Sequence, residues 1–407
     1  MTTKNIRIVS QEDSISPMCS LCGKNKANPF FRLPQIPTQS GVFSPSPKRA
    51  SMVSRSDIIL SYCDACGFIC NEGHNLEKLK FDSNDFSLAE SSSYQIYIDQ
   101  LTDRLIKKYN LYGKKIIEVG CGEGYFLQEI CRKGNNIGIG FDPGPKNKLI
   151  EKETQNRLKF IRAYYSSNYH YLQPDFLVCR LLLDLISEPI TFLKMVRENL
   201  GSSENPIVYF EVPNTNNILD ELSIYSFGYE HRSCFTKESL TYIFSLCGFE
   251  VLDIYSCWEN NYLAIEARPT SSLLSIAEIR ELQRNVNKNL KEKTIRLNQA
   301  FQKLKSETDK RLHQLQLEHK KVLAWGAGTR AVTFFNVFDA NDLIPFIVDI
   351  NARRHGKYLP GSGQKVVAPE FVLTYKPDLV LISNPTYADE IISQVRSLGQ
   401  HPEFWIL

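Results

Sequence analysis

Short apolar segments rich in β-branched residues alternate with amphipathic segments between residues 113 and 268. A short apolar run predicts a buried strand, whereas apolar residues three or four positions apart predict one face of a helix. This alternation is typical of an α/β fold with a doubly wound sheet, which a terminal hairpin closes here. The predicted strands are 114–119, 136–141, 158–162, 175–179, 206–212, 250–257 and 262–267.

The same patterns divide the protein into four parts. Residues 81–270 hold this sheet and a leading helix, whereas residues 271–320 have apolar positions at helical spacing without Gly or Pro. The latter predict one long helix or a pair, either the seam of a coiled-coil dimer or a helix packed across two domains. Residues 1–80 form a separate N-terminal part, and residues 321–407 start a second, Rossmann-like α/β unit.

Length, composition and charge indicate which class of protein this is. The sequence has 407 residues, of which 43% are hydrophobic and 23% charged, as in soluble proteins of two or three domains. A net charge of +3 gives no electrostatic reason to expect nucleic acid or membrane partners, and no apolar run is long enough to span a bilayer. The start of the sequence lacks the apolar core of a signal peptide, so the 11 cysteines are expected to be reduced, in the cytoplasm.

A glycine turn follows the first predicted strand of the sheet. Glu118 lies near the end of that strand, and Gly120, Gly122 and Gly124 then precede a helical pattern. Glycines let the backbone approach a ligand closely, and the start of a helix offers free N–H groups. The spacing differs from the G-x-G-x-x-G of dinucleotide-binding turns, and Glu118 would repel a phosphate but suit a cationic ligand. Asp142 ends the next strand, where a carboxylate can accept both hydroxyls of a ribose.

This combination resembles motif I of the class I S-adenosylmethionine (SAM) methyltransferases. The resemblance implies a class I methyltransferase fold with SAM as its cofactor. It also implies that the three glycines bind SAM together with Glu118 and Asp142. A generic glycine turn of an α/β domain is the alternative.

Two Cys-x-x-Cys pairs occur in residues 1–80, and a glycine follows each pair. Such knuckles turn backbone N–H groups toward the sulfurs, and four thiolates give Zn²⁺ its preferred tetrahedron. Four sulfurs leave no open coordination position, so the zinc would be structural. Cys70 and His74 compete for a ligand place, and four free cysteines are the alternative. The predicted ligands are Cys19, Cys22, Cys63 and Cys66.

The loop beyond the fifth predicted strand carries Tyr229, Glu230 and His231. An imidazole titrates near neutral pH, and a neighbouring carboxylate can orient it and raise its basicity. His231 is therefore a candidate catalytic base that Glu230 orients and Tyr229 assists. The alternative is that His231 only caps the helix predicted to start at Thr236.

Two other positions are candidates for binding a substrate. Asn214 follows the fifth strand, at the carboxyl edge where open α/β sheets bind their ligands. Arg330 follows a second glycine turn, Gly326-Ala327-Gly328, in the C-terminal unit. That turn either holds part of a nucleotide-bearing substrate or is a relic of the fold that only packs, and a lone G-A-G does not decide between them.

The order of these motifs is similar to that of the three-part sugar C-methyltransferases of deoxysugar biosynthesis. The likeness spans nearly the whole sequence and includes Gly361–Gln364 and Asn384–Tyr387 near its end. It implies a zinc-binding N-terminal domain, a SAM domain, and a C-terminal domain that helps hold a nucleotide-linked keto-sugar. Under this resemblance Glu230 and His231 fall on the family's Glu-His catalytic motif.

The resemblance implies C-methylation, in which His231 takes a proton next to the ketone and the resulting enolate accepts the methyl group. Two departures keep other reactions open: Leu181–Leu185 replaces a His-Val-Leu-Glu-His-like stretch, and Gly228 stands where a tyrosine is usual. The first alternative is an O- or N-methyltransferase acting on a sugar or other small metabolite. The second is a non-catalytic binding module with the SAM fold. The sequence leaves the sugar, the nucleotide and the oligomeric state open.

Overall fold

The computed structural model describes residues 18–24, 27–80, 89–144, 156–201, 205–272 and 290–407, together with 275, 277, 278, 281 and 284. These residues form three sheets: a four-stranded N-terminal sheet, a seven-stranded central sheet and a five-stranded C-terminal sheet. Within these ranges, no helix is both long and apolar enough to cross a membrane.

Strands and helices are numbered here in sequence order. The strands are β1 (Ala27–Pro37), β2 (Arg55–Cys63), β3 (Ile69–Asn71), β4 (Lys115–Val119), β5 (Ile137–Phe141), β6 (Leu158–Ile161), β7 (Phe176–Arg180), β8 (Ile207–Pro213), β9 (Ser233–Cys234), β10 (Phe249–Cys257), β11 (Tyr262–Pro269), β12 (Val322–Trp325), β13 (Phe346–Val348), β14 (Lys365–Val367), β15 (Leu379–Ile382) and β16 (Glu403–Ile406). The α-helices are α1 (Pro47–Ser51), α2 (Ser92–Tyr109), α3 (Tyr125–Gly134), α4 (Pro189–Asn199), α5 (Thr215–Asp220), α6 (Lys237–Leu246), α7 (Leu290–Leu317), α8 (Thr329–Val337), α9 (Phe371–Tyr375) and α10 (Ala388–Ser397).

The central sheet is the predicted doubly wound sheet, and all seven predicted strands occur in it. Its order is β10-β11-β8-β7-β4-β5-β6. The strands from β8 to β6 are parallel, whereas β10 and β11 form the antiparallel hairpin that closes the sheet. The strand order reverses between β4 and β7, so a ligand crevice is expected outside the carboxyl ends of these two strands.

The N-terminal sheet contains one strand from the middle of the sequence. β9 pairs antiparallel with β3, with Ile69 opposite Cys234 and Cys70 opposite Ser233. The Asn71 N–H also donates to the Arg232 carbonyl at 3.0 Å. The loop that carries His231 is therefore attached to the N-terminal sheet. Periodicity does not predict this strand, because β9 has only two residues.

Helix α7 packs its apolar face against both terminal parts of the protein. The Phe301 ring meets the Phe31 ring of β1 edge-on, with 5.2 Å between centroids. The Arg311 guanidinium lies 4.3 Å from the ring centroid of Trp405 in β16. The arrangement is that of the predicted helix packed across two domains. Further apolar positions of that prediction lie outside the described residues: Leu273, Leu274, Ile276, Ile279, Leu282 and Val286.

The C-terminal sheet is fully parallel, with the order β14-β13-β12-β15-β16. Two of the contacts between its unit and the central one lie beside the crevice. Arg353 forms an ion pair with Glu123 of the glycine turn. Glu390 of α10 accepts hydrogen bonds from Ser91, Ser92 and Ser93 at the start of α2, at 3.1, 3.2 and 2.5 Å. Both walls of the crevice therefore touch the C-terminal unit.

Candidate functional site

The glycine turn after β4 has the backbone that its sequence predicts. Gly120, Gly122 and Gly124 all have positive φ, at 74°, 53° and 82°, which residues with a Cβ rarely adopt. A Cβ at Gly122 would meet no atom within 4 Å, so there is open space beside the turn. Helix α3 then begins at Tyr125 with no side-chain cap, which leaves backbone N–H groups at its start for a ligand.

Asp142 lies against this turn from the end of β5. Its Oδ2 accepts a hydrogen bond from the Gly122 N–H at 3.0 Å, and its Oδ1 accepts one from the Gly144 N–H at 2.7 Å. The carboxylate is partly exposed. The structure thus brings together Asp142, the predicted ribose acceptor, and the predicted glycine turn. The space beside Gly122 is open.

Glu118 is buried directly before the turn, with 3% of its surface exposed. Its Oε2 has no hydrogen-bond partner among the described residues. Burial raises the pKa of Glu118 to about 8, although the Arg180 guanidinium opposes this rise. A cationic ligand would favour the ionised carboxylate. The chemistry of this residue therefore fits a ligand that carries positive charge, as SAM does.

A buried network lies below the crevice at the carboxyl edge of the sheet. Arg180 at the end of β7 donates to the Glu211 carboxylate of β8 at 2.8 Å. The Tyr97 and Tyr209 hydroxyls donate to the other Glu211 oxygen at 2.6 and 2.5 Å, and Arg180 also donates to the Tyr94 hydroxyl at 3.0 Å. Because Tyr94 and Tyr97 belong to α2, this network fixes that helix against the sheet edge.

His231 pairs with Asp184, a contact that the sequence patterns do not predict. The His231 Nδ1 is hydrogen-bonded to Asp184 Oδ2, and only 1% of the Asp184 side chain is exposed. Burial by itself lowers the pKa of His231, but the Asp184 carboxylate and the charge of Glu230 raise it above its ordinary value. The imidazole keeps 25% of its surface exposed, so its Nε2 is the nitrogen left for proton transfer.

The loop that carries Asp184 contacts both the glycine turn and the His231 loop. A Cβ on Gly120 would lie 2.9 Å from the Leu182 side chain, so the two segments are in direct contact. The Asp184 carbonyl accepts hydrogen bonds from the N–H groups of Arg232 and Ser233, at 2.8 and 2.9 Å. Leu181 has a φ of 52°, a strained conformation of the kind that concentrates at functional sites. The segment from Leu182 to Asp184 therefore connects the candidate base, His231, with the glycine turn of the candidate SAM site.

Glu230 does not orient His231, contrary to the prediction. Its Oε1 accepts hydrogen bonds from the backbone N–H and the hydroxyl of Ser40, the latter at 2.8 Å. The Ser40 hydroxyl also lies 2.9 Å from that of Thr329 in the C-terminal unit. The second oxygen, Oε2, is buried without a partner among the described residues. A Cβ on Gly228 would lie 2.9 Å from this oxygen, so a larger residue at this position would have to displace the Glu230 carboxylate.

Tyr229 has a structural position rather than the expected place in proton transfer. The side chain is fully buried. Its hydroxyl donates to the Gly73 carbonyl at 2.7 Å and accepts from the Asn75 N–H at 2.9 Å. Its ring stacks on His74 with 6.0 Å between centroids. The hydroxyl is already bonded on both sides, so Tyr229 joins the His231 loop to the N-terminal sheet.

Asn214 is likewise occupied by the protein itself. Its side-chain oxygen caps helix α5 by accepting from the Asn217 N–H at 3.2 Å. Its side-chain nitrogen donates to the Ser256 hydroxyl at 3.2 Å and to the Asn260 carbonyl at 2.9 Å. Only 3% of the residue is exposed. In this structure the Asn214 amide fixes the β10–β11 hairpin, and substrate binding by Asn214 stays a prediction.

The second glycine turn, Gly326-Ala327-Gly328, is bonded to residues of its own unit, whereas the Arg330 side chain contacts the central unit. Asp349 accepts from the Ala327 N–H at 2.9 Å and from Arg354 at 3.0 Å, and it is buried, unlike Asp142, so this strand-end carboxylate is not open to a ribose. The Arg330 guanidinium binds two serines: its Nε and Nη2 donate to the Ser226 hydroxyl at 3.0 and 2.8 Å, and Nη2 also donates to the Ser223 hydroxyl.

The four predicted metal ligands form one cluster. All four sulfurs lie within 4.8 Å of one another. The Sγ atoms of Cys19 and Cys66 are 3.7 Å apart, and those of Cys22 and Cys63 are 3.6 Å apart. A tetrahedron with Zn–S bonds of about 2.3 Å has sulfurs about 3.8 Å apart, so the cluster fits zinc. The competitors Cys70 and His74 lie outside the cluster.

Sequence reasoning missed two of the residues that shape this site. Asp184 is the acid of the Leu181–Leu185 stretch. Its position after the fourth strand indicates a place at the carboxyl edge of the sheet, where ligands bind. Ser40 had no such signal, because it lies in the Pro- and Ser-rich insert, 190 positions from Glu230 in the sequence. Only the fold shows that an N-terminal loop reaches the His231 segment.

Two family models match parts of this protein. Residues 92–254 match the family model described as "Methyltransferase domain", and residues 263–407 match the one described as "C-methyltransferase C-terminal domain". The tRNA U34 carboxymethyltransferase of Campylobacter hominis is 31% identical over 105 residues, which cover 24% of this chain and 36% of that protein. The ubiquinone biosynthesis O-methyltransferase of Vibrio cholerae is 25% identical over 130 residues, 30% of this chain and 51% of that protein. The protein thus spans about half or less of these curated relatives.

Among solved structures, a SAM-dependent methyltransferase from Aquifex aeolicus is similar with a TM-score of 0.32 and 13% identity, covering 44% of this chain and 95% of that one. The plantazolicin methyltransferase BpumL, solved with S-adenosylhomocysteine, is similar with a TM-score of 0.35 and 15% identity, covering 44% and 84%. Two family models therefore match neighbouring parts of this protein, one of a methyltransferase domain and one of the C-terminal domain of C-methyltransferases.

Proposed function

We propose that this protein methylates a carbon atom of a nucleotide-linked keto-deoxysugar with SAM as the methyl donor. The observation that carries the proposal is the His231–Asp184 pair, together with the contact that Leu182, two positions before Asp184, makes with Gly120 of the glycine turn. Methylation of carbon needs a base that removes a C–H proton, whereas oxygen and nitrogen nucleophiles need less from a base. The C-terminal domain of C-methyltransferases in the same protein also favours carbon as the acceptor atom.

In this mechanism the protein's own groups hold the reactants and move one proton. The glycine turn, Glu118 and Asp142 would hold SAM, which supplies a methyl group on a sulfonium that leaves readily. His231 takes the proton from the carbon next to the ketone through Nε2, because Asp184 occupies Nδ1. The electron pair of the broken C–H bond forms the enolate, whose carbon then bonds to the methyl group as S-adenosylhomocysteine leaves. Asp184 stabilises the imidazolium that forms, as carboxylates do beside catalytic histidines.

The zinc in this proposal is structural. Cys19, Cys22, Cys63 and Cys66 would hold it with no open coordination position. It would fix the end of β2 and the turn into β3, since Cys63 ends β2 and the Gly67 N–H donates to the Cys63 carbonyl at 2.7 Å. Because β3 carries β9, the metal would act on His231 only through the sheet.

Asp142→Ala should weaken SAM binding about tenfold to a hundredfold, because a carboxylate that accepts ribose hydroxyls contributes roughly 1.5–3 kcal/mol. Titration calorimetry with SAM measures the affinity. Asp175→Ala is the matched control: this carboxylate lies before β7 and accepts from the Lys115 N–H at 2.8 Å, at the opposite edge of the sheet. Unchanged affinity in Asp142→Ala, or equal losses in both variants, would contradict the assigned SAM site.

His231→Ala should keep SAM affinity and lose turnover by about a hundredfold to ten-thousandfold, because a general base is missing. Hydrogen exchange in deuterium oxide measures removal of the C–H proton separately from methyl transfer. With S-adenosylhomocysteine and a nucleotide-linked 4-keto-deoxysugar, the wild type should exchange the hydrogen next to the ketone, and His231→Ala should not. His170→Ala, which changes an exposed histidine of the same domain, should behave as wild type. Methyl transfer without any exchange would favour the O- or N-methyltransferase instead.

Asp184→Asn should shift the pH dependence of turnover. The rate rises with pH as His231 loses its proton, and Asp184 raises the pKa at which this occurs. Without the carboxylate the pKa falls, so the rising limb moves to lower pH while the maximal rate decreases because the ring is less well oriented. Glu230→Gln is the comparison and should shift the limb less, because Glu230 acts on His231 by charge alone. An unmoved limb in Asp184→Asn refutes the pairing.

Cys66→Ser should lower the zinc content to well below one ion per protein molecule and reduce turnover as well, because the sheet that holds β9 loses its support. Metal analysis of the purified protein and a SAM-dependent assay measure the two effects. Cys70→Ser is the matched control, since Cys70 is a buried cysteine of β3 outside the cluster. Full zinc content in Cys66→Ser would show that the four thiolates are not the metal site.

A further inference from the structure

The Glu230 carboxylate lies where three parts of the protein meet. It belongs to a loop of the central unit, and only 2% of the residue is exposed. Its Oε1 accepts hydrogen bonds from the backbone N–H and the hydroxyl of Ser40, which follows β1 in the N-terminal part. The Ser40 hydroxyl lies 2.9 Å from that of Thr329, the first residue of α8 in the C-terminal unit. One carboxylate oxygen is therefore held by a chain of groups from both terminal parts.

The hydrogen bonds in this chain have one possible direction. A hydroxyl carries a single proton, and Ser40 donates its proton to the carboxylate. The Thr329 hydroxyl therefore donates to the Ser40 oxygen, since that oxygen can only accept. Hydrogen bonds to an ionised oxygen are strong, and bonds in a chain polarise one another. Thr329 thus strengthens the bond that Ser40 makes to Glu230.

Both ends of this chain are attached to their surroundings by further hydrogen bonds. Two positions before Ser40, the Thr38 N–H donates to the Ser54 carbonyl at 2.9 Å, which fixes the turn after β1. On the C-terminal side, Thr333 of α8 donates to the Phe227 carbonyl at 3.3 Å. Helix α8 is therefore bonded to the same loop that carries Glu230.

The second carboxylate oxygen, Oε2, lies beside the ring of the candidate base. A Cβ built on Gly228 would lie 2.9 Å from Glu230 Oε2, 2.9 Å from the Thr329 methyl carbon and 3.1 Å from His231 Cδ2. The carboxylate oxygen and the imidazole edge therefore lie against the same point. Cδ2 is the ring carbon bonded to Nε2, the nitrogen left for proton transfer. Oε2 has no hydrogen-bond partner among the described residues, so it acts on the ring through its charge.

This placement matters when His231 takes a proton. Burial by itself lowers the pKa of His231, and the carboxylates of Asp184 and Glu230 raise it above its ordinary value. The attraction between carboxylate and imidazolium depends on their distance, and it is strong away from water. A carboxylate that is already held in place stabilises the new charge without reorganisation. The position of the Glu230 carboxylate should therefore affect the rate of proton removal.

We infer that Ser40 is a positioning residue for the proton transfer: it holds the Glu230 carboxylate beside His231, and Thr329 supports it from the C-terminal unit. This inference rests on the proposed function, because it assigns a task in the first step of that reaction. Ser40 and Thr329 act through Glu230 and need no contact with the acceptor. All three parts of the protein thus contribute to one step.

The test measures hydrogen exchange in deuterium oxide by the full-length protein, with S-adenosylhomocysteine and thymidine-diphosphate-linked 4-keto-6-deoxyglucose as the probe. Ser40→Ala should lower the maximal exchange rate about threefold to thirtyfold, because one of two hydrogen bonds to a charged group is lost. The half-saturating probe concentration and the SAM affinity should change less than about twofold. Ser61→Ala is the matched control and should exchange as wild type, because this buried hydroxyl of β2 has no partner among the described residues.

Two substitutions of Thr329 separate hydrogen bonding from packing. Thr329→Val keeps the shape of the side chain and removes the hydroxyl, whereas Thr329→Ser keeps the hydroxyl and removes the methyl group. If Thr329 supports Ser40, Thr329→Val should exchange more slowly than Thr329→Ser. The reverse order would show that Thr329 only packs, and it would overturn the part of the inference that concerns Thr329.

A double-mutant cycle tests whether Ser40 acts through Glu230. Glu230→Gln should lower the exchange rate about tenfold to a hundredfold, because a charge beside the imidazolium is lost. Adding Ser40→Ala to Glu230→Gln should lower the rate further by less than about twofold, since no ionised carboxylate remains to be held. Losses that multiply would overturn the inference, as would an unchanged rate in Ser40→Ala or a loss of SAM affinity in that variant.

These failures differ from failure of the proposed function. If the wild type exchanges the hydrogen next to the ketone and Ser40→Ala does so equally fast, the reaction stands and the task of Ser40 falls. If the wild type exchanges no hydrogen there, the proposed reaction falls, and the task of Ser40 falls with it.

Discussion

The position of His231 depends on one backbone pairing, between the two residues of β9 and strand β3. This pairing attaches a loop of the central unit to a sheet that is otherwise built by the first part of the sequence. The Tyr229 hydroxyl and the Asn71 side chain add hydrogen bonds on the same side. Asp184 holds the loop from the opposite side through its carbonyl and its carboxylate. Asp184 therefore orients the imidazole, and contacts from two domains hold the loop that carries it.

Buried charge explains the other arrangements near the crevice. A carboxylate removed from water must be bound by donors, or its pKa rises. Glu211 meets this condition through Arg180 and two tyrosines, and Glu230 meets it in part through Ser40. Glu118 keeps one oxygen without a donor among the described residues, and its pKa is raised. Glu118 directly precedes the glycine turn, where a cationic ligand would stabilise its ionised form.

The sequence allows the central fold and the metal cluster to be predicted, because both leave local signals. Strand periodicity gives all seven strands of the central sheet, and Cys-x-x-Cys spacing gives the four clustered sulfurs. Contacts between distant segments leave no such signal. Tyr229, Glu230 and His231 are adjacent in sequence, yet their side chains contact Gly73, Ser40 and Asp184 respectively. Adjacency in sequence therefore suggested a catalytic group that the fold separates.

The short strand β9 also has a consequence for the N-terminal sheet as a unit. In the intact protein, β9 covers one side of β3. A fragment ending at residue 80 would lack β9, so the backbone N–H and C=O groups on that side of β3 would have no strand beside them. Such an open edge invites pairing between copies. Residues 27–71 thus contribute three strands of this sheet, and the fourth strand, which protects their edge, comes from the middle of the sequence.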